Sequence, residues 1–436
     1  MTKCSIEQIE FPTLKNRRIV CDFTGGDVSS DGGSVLLRQA DRQLGLIKQV
    51  TKNLNDPRNK TRCIHSLDSM LRQRVYGIAL GYEDLNDHLT LRKDPAFQTA
   101  VNKDANLAST STLCRLENRA DRQTTRAIHQ VLIEQFIASF KQAPDELILD
   151  FDATDDVVHG KQEARFFHGY YDSYCFLPLY VFCGEQLLVS YLRPSKIDAA
   201  KHSWAILALL TKRLRQTWPQ VKIIFRADSG FCRHKMLSWC EHNNINYIIG
   251  IAKNKRLLDL SQTLRQSASK FYRETGKKQR LFKHFSYAAG TWKNRERKVI
   301  VKAEHNAKGA NPRFVITNLE GENKTLYENI YCARGEMENR IKEQQLCLFA
   351  DRTSCHAWHA NQFRLLLSSL AYTLIQAIRR LALSGTELAK AQCGTIRLKL
   401  LKIGAVIIRN TRKVRFLLSS SYPYQDLFYK VAARLN

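Results

Sequence analysis

The chain has 436 residues, 44% of them hydrophobic, and carries 68 Lys and Arg against 41 Asp and Glu, a formal charge of +27. Such a length holds two or three domains with a large core. No apolar run approaches the roughly 20 residues of a membrane span, which argues against a membrane protein. The N-terminal MTKCSIEQIEFPTLKNRR has no apolar signal core, so a cytoplasmic protein is expected, with its 12 scattered cysteines as free thiols. A positive excess spread along the whole chain points to a polyanion met over a broad surface, and nucleic acid is the default partner.

Residues 1 to about 60 are only partly regular. Asp27 to Gly33 is turn chemistry, and Ser34 to Leu46 reads as an amphipathic helix. Helical spacing continues through Leu67, Leu71, Val75, Ile78 and Leu80. The Ser/Thr-rich stretch Ala108 to Glu117 looks like a capped helix start. Its Arg115 and Arg119, with Arg122 and Arg126 beyond, suit a DNA-contacting helix pair; a solvated basic face is the alternative. A helix over 124–140 and then Pro144 close a mainly α-helical N-terminal DNA-binding region, residues 1–145.

From Glu146 the pattern changes to strands. ELILDFDA is a first strand, and two apolar runs, 176–183 and 186–193, form a hairpin about Gly184-Glu185. A helix over 199–218 follows, then a strand over 221–228, a helix over 234–242 and a strand over 246–251. This alternation predicts an α/β fold, a mixed sheet flanked by helices. Residues 256–319 break it with a helix and strand-like tracts at 281–288, 297–303 and 313–317, a β-rich insertion. Residues 146–255 are then the first part of a catalytic core, and residues 320–436 its second part. That second part has helices over 326–348 and 361–382 and a basic tail in which Glu387 and Asp426 are the sole acids after Arg364.

Asp150 and Asp152 share one face of the first strand. Buried carboxylates are costly unless they meet a cation, and Mg²⁺ with a few carboxylate oxygens is the usual solution. A solvated acidic turn is the alternative. Asp228 ends a second strand, and the helix after the insertion offers Glu336, Glu338 and Glu343. Three carboxylates at one point can hold two divalent ions about 3.5–4 Å apart, the arrangement that serves phosphoryl transfer. Cys232, His234, Cys240 and His242 invite a zinc reading, but neighbours two apart on a helix diverge.

This ordered set resembles the bacterial insertion-sequence transposases of the DDE class, group 1 type, over roughly residues 146–380. In that family the glutamate lies in a Tyr, two residues, Arg, three residues, Glu, six residues, Lys pattern. Here Tyr331, Arg334 and Glu338 are in register in YCARGEMENRIKEQQ, with Gln345 at the lysine's place and Lys342 one turn earlier. Asp152-Ala153-Thr154 and Asp228-Ser229-Gly230 match the two aspartate motifs. HGKQE (159–163) and YYDSYCFLPLYVF (170–182) resemble one subgroup.

The resemblance implies a ribonuclease-H-like catalytic domain in which Asp152, Asp228 and Glu338 are catalytic and bind two Mg²⁺, with Mn²⁺ as a substitute. Asp150 stays open as an alternative to Asp152, whereas Glu336 lies about 200° round the helix from Glu338. Tyr331, Arg334 and Lys342 would hold phosphates, although Arg334 and Glu338 also suit a helix-surface salt bridge. Trp292 would stack a flipped base or else sit in the core. The implied partners are DNA, as terminal inverted repeats and as target, and a second copy of the chain in a homodimer. The implied location is the cytoplasm, on the nucleoid when DNA is bound. A ribonuclease-H-like nuclease and a non-catalytic DNA-binding regulator are the competing functions.

Overall fold

In the strand Glu146–Ala153, Leu147, Leu149 and Phe151 alternate with Ile148, Asp150 and Asp152, and a period of two sends the two sets to opposite faces. The computed structural model in which this is seen describes residues 8–292 and 295–436. Residues 1–7, the start of the stretch read for a signal core, lie outside the described residues, as do Lys293 and Asn294 within the β-rich stretch.

The strand sits inside a nine-stranded mixed sheet. Lys222–Ala227 lies parallel beside it, and Asn246–Ile251 lies parallel beside that. On one face Leu147, Leu149, Phe151, Ile223, Phe225 and Ile249 pack with Leu207, Leu210 and Leu214 of the helix Ser203–Thr217. Met236, Leu237 and Cys240 of the helix His234–His242 complete that layer. On the other face Ile224, Ile248, Ile300 and Val315 pack against Leu326 and Tyr327. Each fully buried Leu, Ile or Phe contributes about 1.5–3 kcal/mol relative to exposure, so both layers hold the strand ends firmly in register.

On one side the sheet continues antiparallel through Leu179–Cys183 and Gln186–Tyr191, which turn about Gly184 at φ 58°. On the other side the β-rich stretch extends the same sheet. Arg313–Thr317 pairs with Asn246–Ile251, Arg297–Asn306 with Arg313–Thr317, and Gln279–Tyr287 with Arg297–Asn306. A small three-stranded sheet, Asp156–Val157, Phe166–His168 and Ser173–Phe176, follows directly on the first aspartate strand.

By its contacts the chain divides into two compact units, one of Met1–Ile47, Asp56–Arg115 and Ala377–Asn436, the other of Lys48–Asn55 and Leu116–Gln376. These lines differ from boundaries at 145, 255 and 319. In the first unit the C-terminal strands Ala405–Arg409 and Val414–Leu418 close a sheet with Val28–Ser29. Lys402 Nζ meets Asp31 at 2.7 Å. Buried Asp41 accepts from the Ile47 amide, Arg72 and the Tyr76 hydroxyl, fixing the helices of this unit. A hairpin of Ile9–Leu14 and Arg17–Cys21 is exposed throughout. Among the described residues no helix is long and apolar enough to cross a membrane.

Candidate active site

The last registered row of the parallel strands joins Phe151, Ala227 and Ile249. One residue further on stand Asp152, Asp228 and Gly250, at the carboxyl ends where open α/β sheets bind their ligands. Neighbouring strands are about 4.8 Å apart, so the sheet itself brings the two aspartates together. Asp228 leaves its strand by capping the turn Ser229–Phe231, accepting from the Gly230 amide at 2.9 Å. Gly250 has to be glycine, because a Cβ there would meet the Tyr331 hydroxyl at 2.6 Å and the Ser229 nitrogen at 2.9 Å.

Glu338 comes from the helix Gly335–Lys342, which packs against the first aspartate strand. Arg334 ties it to the sheet: Nη1 donates to Asp152 Oδ2 at 3.0 Å and Nη2 to Glu338 Oε1 at 2.8 Å. The guanidinium therefore lies between two of the expected ligands. Burial pushes the Asp152 carboxyl up to about 6; Arg334 pulls it back down, while the charges of Asp228 and Glu338 push it further up. Burial also raises the Tyr331 hydroxyl, with Arg334 opposing and Asp228 adding. Among the described residues no three His, Cys, Asp or Glu form a ready cluster for a metal ion. The donor set itself is hard carboxylate oxygen with surplus negative charge, which fits a divalent cation of the Mg²⁺ class.

Asp150 is engaged elsewhere. It is 3% exposed and sits in cross-strand register with Arg226. The guanidinium of Arg226 grips both carboxylate oxygens and also donates to the Ile330 carbonyl at 2.5 Å. Sequence reasoning missed Arg226, though a lone Arg inside the buried run KIIFRAD, two before Asp228, calls for an acid in register two before Asp152.

Glu336 is exposed, and Glu343 is buried and accepts from Arg340 at 2.8 Å. Lys342 is exposed one turn beyond Glu338. Gln345 donates to the Asp155 carbonyl at 3.0 Å and to Asp156 Oδ1 at 3.1 Å, so at the lysine's place it anchors the chain that leaves the first aspartate strand. Asp156 is fully buried, and burial holds its carboxyl well above the usual range, with the Gln345 bond opposing.

Of the outlying candidates, Trp292 is 3% exposed, edge-on to Tyr287 at 5.4 Å with Arg297 over its ring at 5.1 Å. It is a core residue, and in this arrangement its faces are closed to a base. Arg115 and Arg119 are exposed, and Arg115 Nη2 donates to the Thr112 hydroxyl at 3.1 Å.

A family model described as "Transposase DDE domain group 1" matches residues 11–436. No curated protein matches the chain. Among solved structures, the piggyBac transposase in a synaptic complex with hairpin DNA is similar with a TM-score of 0.45 at 10% identity, covering 84% of this chain and 78% of that one.

Proposed function

The chain belongs to the group 1 family of DDE-domain transposases, and we propose that its Asp152, Asp228 and Glu338 hold the divalent metal of a two-step DNA cut-and-join reaction. It is a DNA transposase, and enzymes of this family work with divalent metal ions. The finer reading is two Mg²⁺ ions, replaceable by Mn²⁺, with cleavage at the element ends followed by joining of the freed 3′ hydroxyls to target DNA. When bound, such ions activate the attacking oxygen and neutralise the leaving one.

The observation that carries this reading is the Arg334 guanidinium bridging Asp152 and Glu338 beside Asp228. Asp152 and Glu338 share one guanidinium, and Asp152 also feels the charge of Asp228, so these acids call for a cation with or without metal. Arg334 supplies it without metal. With a divalent ion held by the carboxylates, Arg334 would be free to take a phosphate of the scissile strand, bidentate recognition being what a guanidinium does best. The Tyr331 hydroxyl, seated on Gly250, fixes the end of the turn Leu326–Tyr331 that leads into the helix of Glu338, and exposed Lys342 adds a phosphate contact. Asp150 acts through packing, since Arg226 already neutralises it.

Residues 1–145, with exposed Arg115 and Arg119, are assigned to recognition of the element's terminal inverted repeats, and the basic tail to phosphate contacts that add affinity without sequence information. Joining two ends calls for two active sites, hence a homodimer on DNA. The cytoplasm is proposed as the compartment in which that DNA substrate is met.

The test is a strand-transfer assay with DNA carrying the element ends. Mg²⁺-dependent cleavage followed by joined product is expected. Cleavage without joining would make the chain a nuclease; binding without either would make it a regulator.

A further inference from the structure

The small sheet that follows the first aspartate strand carries an array of aromatic rings with no role in the chemistry above. Phe167 and Tyr174 are cross-strand partners, 53% and 48% exposed, with centroids 5.6 Å apart. At the tip Tyr170 is 85% exposed and touches Tyr171 at 5.0 Å, and Tyr171 touches His168 at 4.9 Å. Rings of this size are rarely left in water without reason, and a cluster of them marks a binding surface. Cations lie on the rings: the Arg165 guanidinium is 4.5 Å from the Tyr174 centroid, and Lys196 Nζ is 5.4 Å from that of Phe166. The nearby acid Glu163 is taken up by the Trp358 amide at 3.0 Å.

The ribbon is held in shape. Ser195 donates to the Phe166 carbonyl, and Gln162 to the Thr353 carbonyl. Ala164 and Asp172, at φ 62° and 50°, bound it in left-handed conformations that persist only where the surroundings over-determine them. It also adjoins the site along the chain: Asp156, four residues beyond Asp152, pairs with Phe176 of the ribbon's central strand.

We propose that the Phe167–Tyr170–Tyr174 ribbon stacks unpaired DNA bases next to the scissile phosphate. Cation-edged rings select a polyanion whose subunits have flat faces. Duplex DNA hides those faces within its stack, whereas a flipped or single-stranded base offers them, and each stacks on an aromatic ring with a contribution worth about fivefold to a hundredfold or more in affinity. The inference rests on the transposase reading and adds to it a contact that Trp292, shut in the core, does not make.

The experiment uses the full chain, a blunt duplex, and the same duplex with a six-nucleotide dT overhang bearing 2-aminopurine. Fluorescence anisotropy gives affinity, and 2-aminopurine quenching reports stacking. Unmodified protein should bind the overhang DNA at least about tenfold more tightly than blunt DNA and quench the probe. The triple variant Phe167→Ala, Tyr170→Ala, Tyr174→Ala should lose both effects and keep blunt-duplex affinity, with its folding checked by circular dichroism. Tyr170→Phe should behave as unmodified protein. An equal overhang preference in the triple variant overturns the proposal, as does an equal fall for both DNAs. Retained overhang binding with a loss of self-association in light scattering makes the ribbon a contact between copies and overturns it too. Failure of unmodified protein to bind any DNA sinks the transposase reading, and this one with it.

Discussion

Two Asp–Arg pairs lie two residues apart on one face of the strand Glu146–Ala153, and they differ in how firmly the arginine is held. Arg226 is built into the neighbouring strand, in register with Asp150, with both side chains under 10% exposed. Arg334 stands at the cap of the helix Gly335–Lys342, divides its donors between Asp152 and Glu338, and keeps the half-exposed Glu338 at its outer side. The first pair is a clamp that cannot open without unfolding the sheet. The second is a cation resting on the two carboxylates we propose as metal ligands, and on that proposal it can be exchanged. On that proposal the same chemistry serves stability at one position and function at the next, and the difference lies in what carries the arginine.

The largest effect that would sharpen the contrast is on chemistry. Asp152→Asn should lower strand cleavage by at least about a thousandfold, several kcal/mol of transition-state stabilisation, with DNA affinity by gel shift unchanged. Asp150→Asn should instead leave partial activity and lower stability by about 3–5 kcal/mol in denaturant titration, because buried Arg226 loses its counter-charge. Complete loss of activity with both, or with Asp150→Asn alone, would move the ligand role to Asp150.

Much of this site was legible in the sequence. Alternation and strand ends were enough to put Asp152 and Asp228 at the ends of neighbouring strands, while the roles of these two and of Tyr331, Arg334 and Glu338 remain what we propose; the strand Asn246–Ile251 and helix His234–His242 follow their apolar periods. What escaped depends on non-local pairing. Arg226 was a visible anomaly in an apolar strand, but its partner lies 76 residues away. The N-terminal hairpin was hidden by Pro12 and by a turn in which Lys15 takes φ 55°. The helix expected over 326–348 forms, but its π turns at Leu326–Tyr331 and Glu343–Cys347, which shift the 3.6-residue phase that periodicity reads, were not foreseen. Trp292 carries no local mark that separates a core ring from a stacking one.

A smaller effect should come from Gly250→Ala. The added Cβ must push the Tyr331 hydroxyl and the Ser229 backbone away from Asp228, and a displacement approaching 1 Å costs about 100-fold in cleavage rate. Single-turnover cleavage checks this; an unchanged rate would detach Tyr331 and the Gly250 contact from the site. Smallest of all is Lys342→Ala. If Lys342 meets one phosphate, the slope of log affinity against log salt should fall by about one, with cleavage at saturating DNA nearly unchanged. An unchanged slope would remove Lys342 from the DNA contact.

The exchangeable cation is tested most directly by calorimetric titration of Mn²⁺ into the DNA-free protein and its Arg334→Gln and Asp152→Asn variants. Removing a positive charge a few ångströms from the ligands should tighten Mn²⁺ binding by at least about tenfold in Arg334→Gln, while Asp152→Asn should bind little or none. Binding by Arg334→Gln that is equal to or weaker than that of the unmodified protein would contradict the account, because Arg334 would then be a fixed part of the site, not the stand-in for its metal.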